Sequence, residues 1–206
     1  MKKLVVFDLD GTLYKAESSF IPAVKRLLGE YELYIPPDNF ILSFIGEPNH
    51  IFHEWLNSLR FNDSDEVIKN KIDTYEIEAV QDFGLLFNSV IQVFDWLKLH
   101  DYEIGLCTNA TKDYLEKVLD KFQLQKYFSV IKFPLNKEET KSNMLQLIRE
   151  EFNPTFAFMV GDRKHDFEAA KNNNFISVAM TYGYGKNEIE TVDYRINNLW
   201  ELEEIL

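Results

Sequence analysis

The sequence predicts an α/β protein in which a parallel sheet is joined to an inserted helical segment. Residues 4–7 form an unbroken apolar run near the N-terminus, which is typical of a strand buried on both faces. Residues 15–81 then show apolar side chains at helical spacing and no convincing strand. After residue 83, short apolar runs alternate with helical patterns, and this alternation indicates parallel strands joined by right-handed crossovers.

The inserted segment contains several amphipathic helical patterns in succession. The dipeptide Pro36-Pro37 breaks the first pattern, and Gly46 ends a short helix that follows it. The apolar positions at helical spacing are Ile21, Val24, Leu27 and Leu28, then Phe52, Trp55, Leu56 and Leu59, and then Ile68, Ile72 and Tyr75. We therefore expect a helical domain over residues 15–81 and an α/β domain formed by residues 1–14 and 82–206.

The α/β part of the chain contains further predicted strands after the first. Each of the first four is a short, mostly apolar run, with helical patterns between them, whereas the last, Asp193 to Ile196, predicts a short edge strand. The runs cover residues 103–107, 129–133, 156–160, 175–180 and 193–196, and the last helical pattern covers residues 168–173. Because parallel sheets bind ligands beyond the carboxyl ends of their strands, the residues that follow these runs are the candidates for a functional site.

Two carboxylates follow the first predicted strand directly. Asp8 and Asp10 have the period-two spacing that places side chains on one side of an extended backbone. Like charges at such a distance repel each other, and a divalent cation or a shared proton would relieve the repulsion. The other polar candidates follow later strands or open a helix, and they are Thr108, Asn109, Lys141, Asp162 and Asp166.

The segment Asp8-Leu9-Asp10-Gly11-Thr12-Leu13 resembles the first signature of the haloacid dehalogenase-like superfamily of phosphohydrolases. The later motifs of that family are matched in order by Thr108, by Lys141, and by Gly161-Asp162 with Asp166. Residues 159–169 and the run Tyr182-Gly183-Tyr184-Gly185 are most similar to phosphoglycolate-phosphatase-like members. The resemblance covers nearly the whole chain, and it implies a Rossmann-like core with a mobile helical cap inserted between the first two motifs.

The resemblance implies a phosphatase that forms a covalent aspartyl phosphate on Asp8. Asp10 would protonate the leaving alcohol and then take a proton from the water that cleaves the intermediate. Mg²⁺ would be held by Asp8, by the backbone carbonyl of Asp10 and by Asp162, while Asp166 would orient a metal-bound water. Oxygen ligands and a small number of protein groups suit Mg²⁺, which keeps several of its waters.

Phosphate binding is assigned by the same resemblance to two further segments. Thr108 and the amides of Asn109 and Ala110 would hold phosphoryl oxygens at the N-terminus of the next helix. Lys141 would add a compact positive charge. The partner would be a small phosphorylated metabolite, because closure of a cap excludes macromolecules from such a site.

Two alternatives to a phosphatase stay open at this point. A phosphomutase of the β-phosphoglucomutase type keeps a carboxylate at the Asp10 position, so these motifs do not separate it from a phosphatase. A non-catalytic phosphate-binding module on the same fold is the second alternative, although none of the motif residues is missing. The dehalogenase branch is disfavoured, because it lacks the proton donor that Asp10 provides and that phosphoryl transfer needs.

Composition restricts the partners and the compartment. The 206-residue chain carries a formal net charge of −12, which argues against binding nucleic acid or an anionic membrane. No apolar stretch has the length of a membrane span, and Asp8 comes too early for a signal peptide. Cys107 is the only cysteine, so an internal disulfide is excluded and a cytoplasmic setting is expected. The sequence carries no signal for the identity of the ester or for an oligomeric state.

Overall fold

The predicted parallel sheet is confirmed by a computed structural model that describes residues 2–47, 49–136, 138–189 and 191–206. Its strands are β1 (Lys3–Phe7), β2 (Tyr102–Cys107), β3 (Val130–Lys132), β4 (Phe156–Gly161), β5 (Ile176–Met180) and β6 (Tyr194–Ile196). They pair in the order β3-β2-β1-β4-β5-β6, and each neighbouring pair is parallel. Six parallel strands with helical connections make an α/β fold of the doubly wound type.

The centre of the sheet is β1, which has β2 on one side and β4 on the other. The chain builds the β2 side first and then crosses to the β4 side, so the strand order reverses next to β1. Doubly wound sheets bind their ligands at this reversal, beyond the carboxyl ends of the strands. The register pairs Phe7 with Leu106 of β2 and with Val160 of β4. The segments that follow these three strands therefore share one edge of the sheet.

The helices of the described residues largely follow the predicted pattern. They are α1 (Glu17–Glu30), α2 (Asp38–Leu42), α3 (Asn49–Ser58), α4 (Asp65–Phe83), α5 (Val90–Leu99), α6 (Lys112–Phe122), α7 (Lys141–Phe152) and α8 (Lys164–Asn172). Short 3₁₀ helices cover Gln125–Tyr127, Lys186–Glu188 and Leu199–Glu204. The predicted start of α8 at residue 168 is wrong by four residues, because the helix opens with three polar residues, Lys164-His165-Asp166, which carry no apolar pattern. Within the described ranges, a helix with the length and apolar character of a membrane span is absent.

The central strand is buried on both faces, as its unbroken apolar sequence predicts. Leu4 and Val6 belong to a core cluster that also contains Met144 of α7 and Ala170 of α8. Phe7 lies on the alternate face, where its ring contacts that of Phe94 in α5 at a centroid distance of 5.3 Å. Burial of apolar area stabilises the fold by roughly 25 cal/mol per Å². Packing from both sides therefore holds the carboxyl end of β1 in a fixed position.

The chain divides into two compact units. The unit that contains the sheet consists of Met1–Tyr14, Leu86–Lys112 and Gln123–Leu206. The helical unit consists of Lys15–Leu85 and Asp113–Phe122. The boundaries drawn from the sequence place residues 82–85 and 113–122 with the sheet, so the two divisions differ by these four residues and by most of α6. Chain order alone does not reveal which helices contact one another.

Within the helical unit, α1 and α4 are joined by charged pairs. Arg26 pairs with Glu78 at 2.5 Å, and its guanidinium carbon lies 3.8 Å from the ring centroid of Tyr75. Lys71 pairs with Glu30 at 2.5 Å. These side chains are substantially exposed, so each pair contributes little to stability. A second set of contacts is aromatic and consists of Phe20, Phe40, Phe44, Phe52 and Trp55.

Candidate active site

Three buried aspartates, the acidic cluster, meet beyond the carboxyl ends of β1 and β4. Asp8 follows β1 and donates its backbone N–H to the carbonyl of Val160 at 2.9 Å, which places it beside the end of β4. Asp162 follows β4, and Asp166 lies in the first turn of α8. One carboxylate oxygen of each aspartate lies within 4.8 Å of the others. The two strands on either side of the topological reversal thus supply the cluster.

Lys141 places a positive charge between two of these carboxylates. Its Nζ donates to Oδ1 of Asp8 at 2.7 Å and to Oδ1 of Asp166 at 2.6 Å. Lys141 is the first residue of α7, where the helix dipole disfavours a positive charge. It is also buried, and a buried ammonium group needs charged partners. The negative charges of Asp8 and Asp166 therefore offset the unfavourable position of the buried Lys141 ammonium group at the N-terminus of α7.

Asp166 holds the segment that follows β4. Its Oδ2 accepts the backbone N–H groups of Asp162 and Arg163 at 3.1 and 3.0 Å. Its Oδ1 accepts the hydrogen bond from Lys141. A Cβ added to Gly161 would lie 2.2 Å from Cγ of Asp166, so only glycine permits this close approach. Because both of its carboxylate oxygens already accept hydrogen bonds, Asp166 is suited to positioning its neighbours.

Asp162 is the aspartate with an unpaired ligand atom. Its Oδ2 accepts the N–H of Tyr184 at 2.6 Å, whereas its Oδ1 is buried without a hydrogen-bond partner. Among the described residues, Oγ1 of Thr12 is the other buried side-chain atom in this condition. Gly11 and Gly183 enclose the carboxylate, since a Cβ on either would lie 2.3 or 2.4 Å from Oδ2. A buried, unpaired carboxylate oxygen is unfavourable, and a bound cation would satisfy it.

The acidic cluster fits a hard divalent cation. Three aspartates carry three negative charges and Lys141 carries one positive charge, so the formal sum is −2. Carboxylate oxygens are the ligands that Mg²⁺ prefers in proteins. Oδ1 of Asp162 is a ligand atom without a competing hydrogen bond. Both the net charge of the cluster and its oxygen donor atoms therefore favour a hard divalent cation.

Burial makes Asp8 and Asp162 hard to ionise while no cation is bound. Burial raises the pKa of Asp8 to about 6, with Lys141 opposing the shift and Asp166 adding to it. Burial, followed by the charges of Asp8 and Asp166, raises the pKa of Asp162 well above its usual range. Burial acts to lower the pKa of Lys141, but Asp166 and Asp8 together outweigh it and raise that pKa. A cation between the aspartates would favour their ionised forms.

The remaining predicted residues stand at the same edge of the sheet. Asp10 is half-buried in a tight turn after β1, where the carbonyl of Leu9 accepts the N–H groups of residues 12–14. Thr108 follows β2 and is buried, and its Oγ1 accepts the N–H of Ala110 at 3.1 Å. The hydroxyl hydrogen of Thr108 is therefore available to another acceptor. Asn109 is exposed, and in the described part of the chain no hydrogen bond joins Thr108 or Asn109 to the acidic cluster.

The loop after β5 contributes contacts that the sequence did not assign to the site. Tyr184 binds Asp162 through its amide, as described above. The hydroxyl of Tyr182 donates to the carbonyl of Thr12 at 2.7 Å, and its ring stacks on Phe87 at a centroid distance of 4.2 Å. The sequence singled out residues 182–185 by resemblance and by their position after a strand. Their contacts use backbone amides and a phenol, which are not residue types that mark a metal site.

Cys107 lies at the end of β2 next to the site and is a packing residue. Its Sγ contacts the carbonyl oxygen of Lys141 at 3.8 Å. Burial raises the pKa of its thiol to about 12. The thiol is therefore protonated at neutral pH and is not a nucleophile there.

Comparison with known sequences points to one family. The profile of the family described as haloacid dehalogenase-like hydrolase matches residues 5–180, a range that contains every predicted site residue. The phosphoglycolate phosphatase of Salmonella typhi is 26% identical over 210 residues, which cover 90% of this chain and 83% of that protein. The phosphoglycolate phosphatase of Escherichia coli (strain K12) is 26% identical over 209 residues, which cover 89% of this chain and 83% of that protein.

A solved structure has the same fold over nearly the full length. It is described as a predicted phosphoglycolate phosphatase from Haemophilus somnus 129pt. It superimposes with a TM-score of 0.87 at 21% sequence identity, and the match covers 99% of this chain and 97% of that chain. At this identity the likeness establishes the fold.

Proposed function

Because the chain belongs to the haloacid dehalogenase-like hydrolase family and is a phosphohydrolase, we propose that it is a Mg²⁺-dependent phosphatase of a small phosphate monoester. The reaction would pass through a phosphoryl group bound to Asp8. The observation that carries the proposal is the meeting of Asp8, Asp162 and Lys141 in one buried site. Phosphoryl transfer depends mainly on placement and on neutralisation of charge, and these residues serve both needs.

Asp8 is the proposed nucleophile. An ionised carboxylate needs no general base, but it must be kept ionised and aimed at phosphorus. Lys141 binds its Oδ1 and holds the side chain in place. Mg²⁺, held by Asp8, the backbone carbonyl of Asp10 and Asp162, would supply the positive charge that lets a carboxylate approach a dianionic phosphate.

Asp10 is the proposed general acid and base. It stands two residues after the nucleophile in the turn that follows β1. It would protonate the leaving alcohol and later take a proton from the attacking water. Thr108, Asn109 and Lys141 would bind the phosphoryl oxygens, and Asp166 would position Asp162 and Lys141.

The substrate we propose is a small phosphorylated metabolite, handled in the cytoplasm. Phosphoglycolate is the first candidate, because the curated relatives from Salmonella typhi and Escherichia coli are phosphoglycolate phosphatases. The formal net charge of −12 supports a metabolite over a nucleic acid, since nucleic-acid binding needs a basic surface. We also propose that the helical unit selects among such substrates.

Phosphate release from a panel of metabolite phosphates, with Mg²⁺ and with a chelator, tests the proposed function. The panel should contain phosphoglycolate, nucleoside monophosphates, hexose phosphates and a phosphoprotein. We expect Mg²⁺-dependent release from at least one small ester and little from the phosphoprotein. Conversion of hexose phosphates without release of phosphate would indicate a phosphomutase instead. Absence of any turnover with Mg²⁺ would indicate a binding module.

Mg²⁺ is expected to stabilise the protein more at about pH 7.5 than at about pH 5. The pKa values of Asp8 and Asp162 are raised, so the metal-free native state binds more protons than the unfolded chain. Its stability therefore falls as pH rises from about 4 through these raised pKa values, of which that of Asp8 is about 6. At low pH, Mg²⁺ must displace the protons bound to Asp8 and Asp162, which weakens its binding. At high pH, it relieves the repulsion between their ionised carboxylates and so stabilises the native state more. At 100 times its Kd, Mg²⁺ should raise Tm by about 5–10 °C at the higher pH. Thermal melts at both pH values measure this, and an equal shift at both would contradict it.

Replacing Asp10 with asparagine is expected to separate substrates by their leaving groups. The variant cannot protonate an alkoxide, so kcat for an alkyl phosphate should fall by about 10²–10⁴-fold. An aryl phosphate with an acidic phenol needs less protonation, so its first step should be affected less. Rapid-quench measurement of phenol release and of phosphate release checks both steps. An equal loss for both substrates in both steps would show that Asp10 is not the general acid.

A further inference from the structure

Residues 182–188, the clamp loop, enclose Asp162. The amide of Tyr184 donates to Oδ2 of Asp162 at 2.6 Å. A Cβ added to Gly183 would lie 2.2 Å from Cβ of Asp162, and one added to Gly185 would lie 2.3 Å from its carbonyl oxygen. The loop therefore touches both the side chain and the backbone of this residue. Because Oδ2 is occupied by an amide, Oδ1 is the oxygen left for a cation.

Glu188 attaches the C-terminal end of the clamp loop to the segment that follows Asp162. Its Oε2 accepts from Nε of Arg163 at 3.1 Å and from the backbone N–H of Lys164 at 2.8 Å, and its Oε1 lies 2.9 Å from Nη2 of Arg163. Its own N–H donates to the carbonyl of Gly185 at 2.8 Å, which closes the loop. Arg163 is only 8% exposed. A mostly buried ion pair in which both carboxylate oxygens bind the guanidinium group restricts the orientation of both side chains strongly.

Tyr182 attaches the other end of the clamp loop to the turn after β1. Its hydroxyl donates to the carbonyl of Thr12, and its ring stacks on Phe87. Burial, with the nearby charge of Asp162, raises the pKa of this phenol, so it stays a donor at neutral pH. The clamp loop is thus anchored to both segments that carry the proposed metal ligands.

We propose that Glu188 is a positioning residue that sets the affinity of the site for Mg²⁺ by fixing the orientation of the Asp162 carboxylate. The inference rests on the proposed function, since it takes Asp162 as a ligand of the cation. Without the Glu188 carboxylate, the side chain of Arg163 and the amide of Lys164 lose a shared acceptor. The clamp loop can then shift, and the amide of Tyr184 no longer holds Oδ2. Residues that orient a metal ligand commonly change metal affinity by about 10–100-fold when replaced.

A positioning role and a merely structural role predict different results for Glu188→Gln. A structural role lowers the melting temperature of the metal-free protein and leaves the Kd for Mg²⁺ unchanged in the folded state. A positioning role raises that Kd, and saturating Mg²⁺ then restores kcat. Glu203→Gln is the matched control, because Glu203 is an exposed glutamate in the same unit.

The test is isothermal titration of the full-length protein with Mg²⁺ in the absence of substrate. We expect Glu188→Gln to raise the Kd for Mg²⁺ by about 10-fold or more and Glu203→Gln to leave it unchanged. We expect kcat of Glu188→Gln at saturating Mg²⁺ to lie within about twofold of the wild-type value. Glu188→Asp keeps the charge on a shorter side chain, so it should give an intermediate Kd. If Glu188→Gln does not fold, the Kd of Glu188→Asp for Mg²⁺ distinguishes the positioning role from the structural role.

A Kd within about twofold of wild type in a folded Glu188 variant would overturn the inference, even if the melting temperature falls. In that case the wild-type titration still shows the metal binding on which the proposed function depends. A wild-type protein that binds no Mg²⁺ would instead contradict the proposed function, and the inference would fall with it.

Discussion

Replacing Asp8 with asparagine is expected to lower kcat for ester hydrolysis by at least about 10³-fold. The amide has nearly the size of the carboxylate and can still accept the hydrogen bond from Lys141, but it cannot attack phosphorus. Acid-quenched wild-type enzyme should carry a phosphoryl group on the peptide that contains Asp8, and the variant should carry none. Mass spectrometry of the quenched protein makes this measurement.

The loss of activity in Asp8→Asn should not come from unfolding. Burial raises the pKa of Asp8 to about 6, so at neutral pH its ionised form opposes folding of the metal-free protein. Removal of that charge should leave the free energy of unfolding equal to or above the wild-type value. Asp95→Asn, at an exposed aspartate of α5, is the matched control and should keep wild-type kcat. Wild-type kcat in Asp8→Asn would exclude Asp8 as the nucleophile.

Replacing Lys141 with methionine is expected to impair both stability and catalysis. Methionine fills the space of the aliphatic stem but leaves Asp8 and Asp166 without their shared cation. Breaking a buried ion pair in this way destabilises a protein by about 3–5 kcal/mol. Loss of a positive charge at the phosphoryl group should also lower kcat by about 10²–10³-fold. Denaturant unfolding of the metal-free protein and steady-state kinetics measure the two effects.

The instability of Lys141→Met should be smaller at about pH 5 than at about pH 7.5. Lys141 favours the ionised form of Asp8, so this part of its contribution is present at high pH and is lost as pH falls through the raised pKa of Asp8, about 6. Lys132→Met is the matched control, since Lys132 has a partly exposed pairing with Glu151 at 3.8 Å. That change should cost no more than about 1 kcal/mol. Equal losses in the two variants would show that the buried pair has no special role.

The position of the site could be predicted because its key residues follow strands. An apolar run such as residues 4–7 is detectable in the sequence, and in a parallel sheet the residues after each strand meet at one edge. The topological reversal beside β1 then brings Asp8 next to Asp162. Family resemblance predicts the role of Lys141, and the structure adds the reason why its charge is tolerated at a helix N-terminus.

Contacts made by tertiary structure could not be predicted from local patterns. Glu188 lies 25 positions after Arg163, and no periodicity connects the two. The early start of α8 depends on the carboxylate of Asp166, which accepts hydrogen bonds from two backbone N–H groups. The spacing of apolar residues in a sequence does not indicate a cap of this kind. Likewise, α6 carries an ordinary amphipathic pattern, which does not say which unit its apolar face contacts.

A crystal structure of the wild-type protein grown with Mn²⁺ tests most directly whether Asp8 and Asp162 share one cation. Mn²⁺ accepts the same oxygen ligands as Mg²⁺, and its anomalous scattering identifies the ion. We predict one strong anomalous peak that lies within coordination distance of both a carboxylate oxygen of Asp8 and Oδ1 of Asp162. A peak that touches only one of these residues, or no peak between them, would contradict the account.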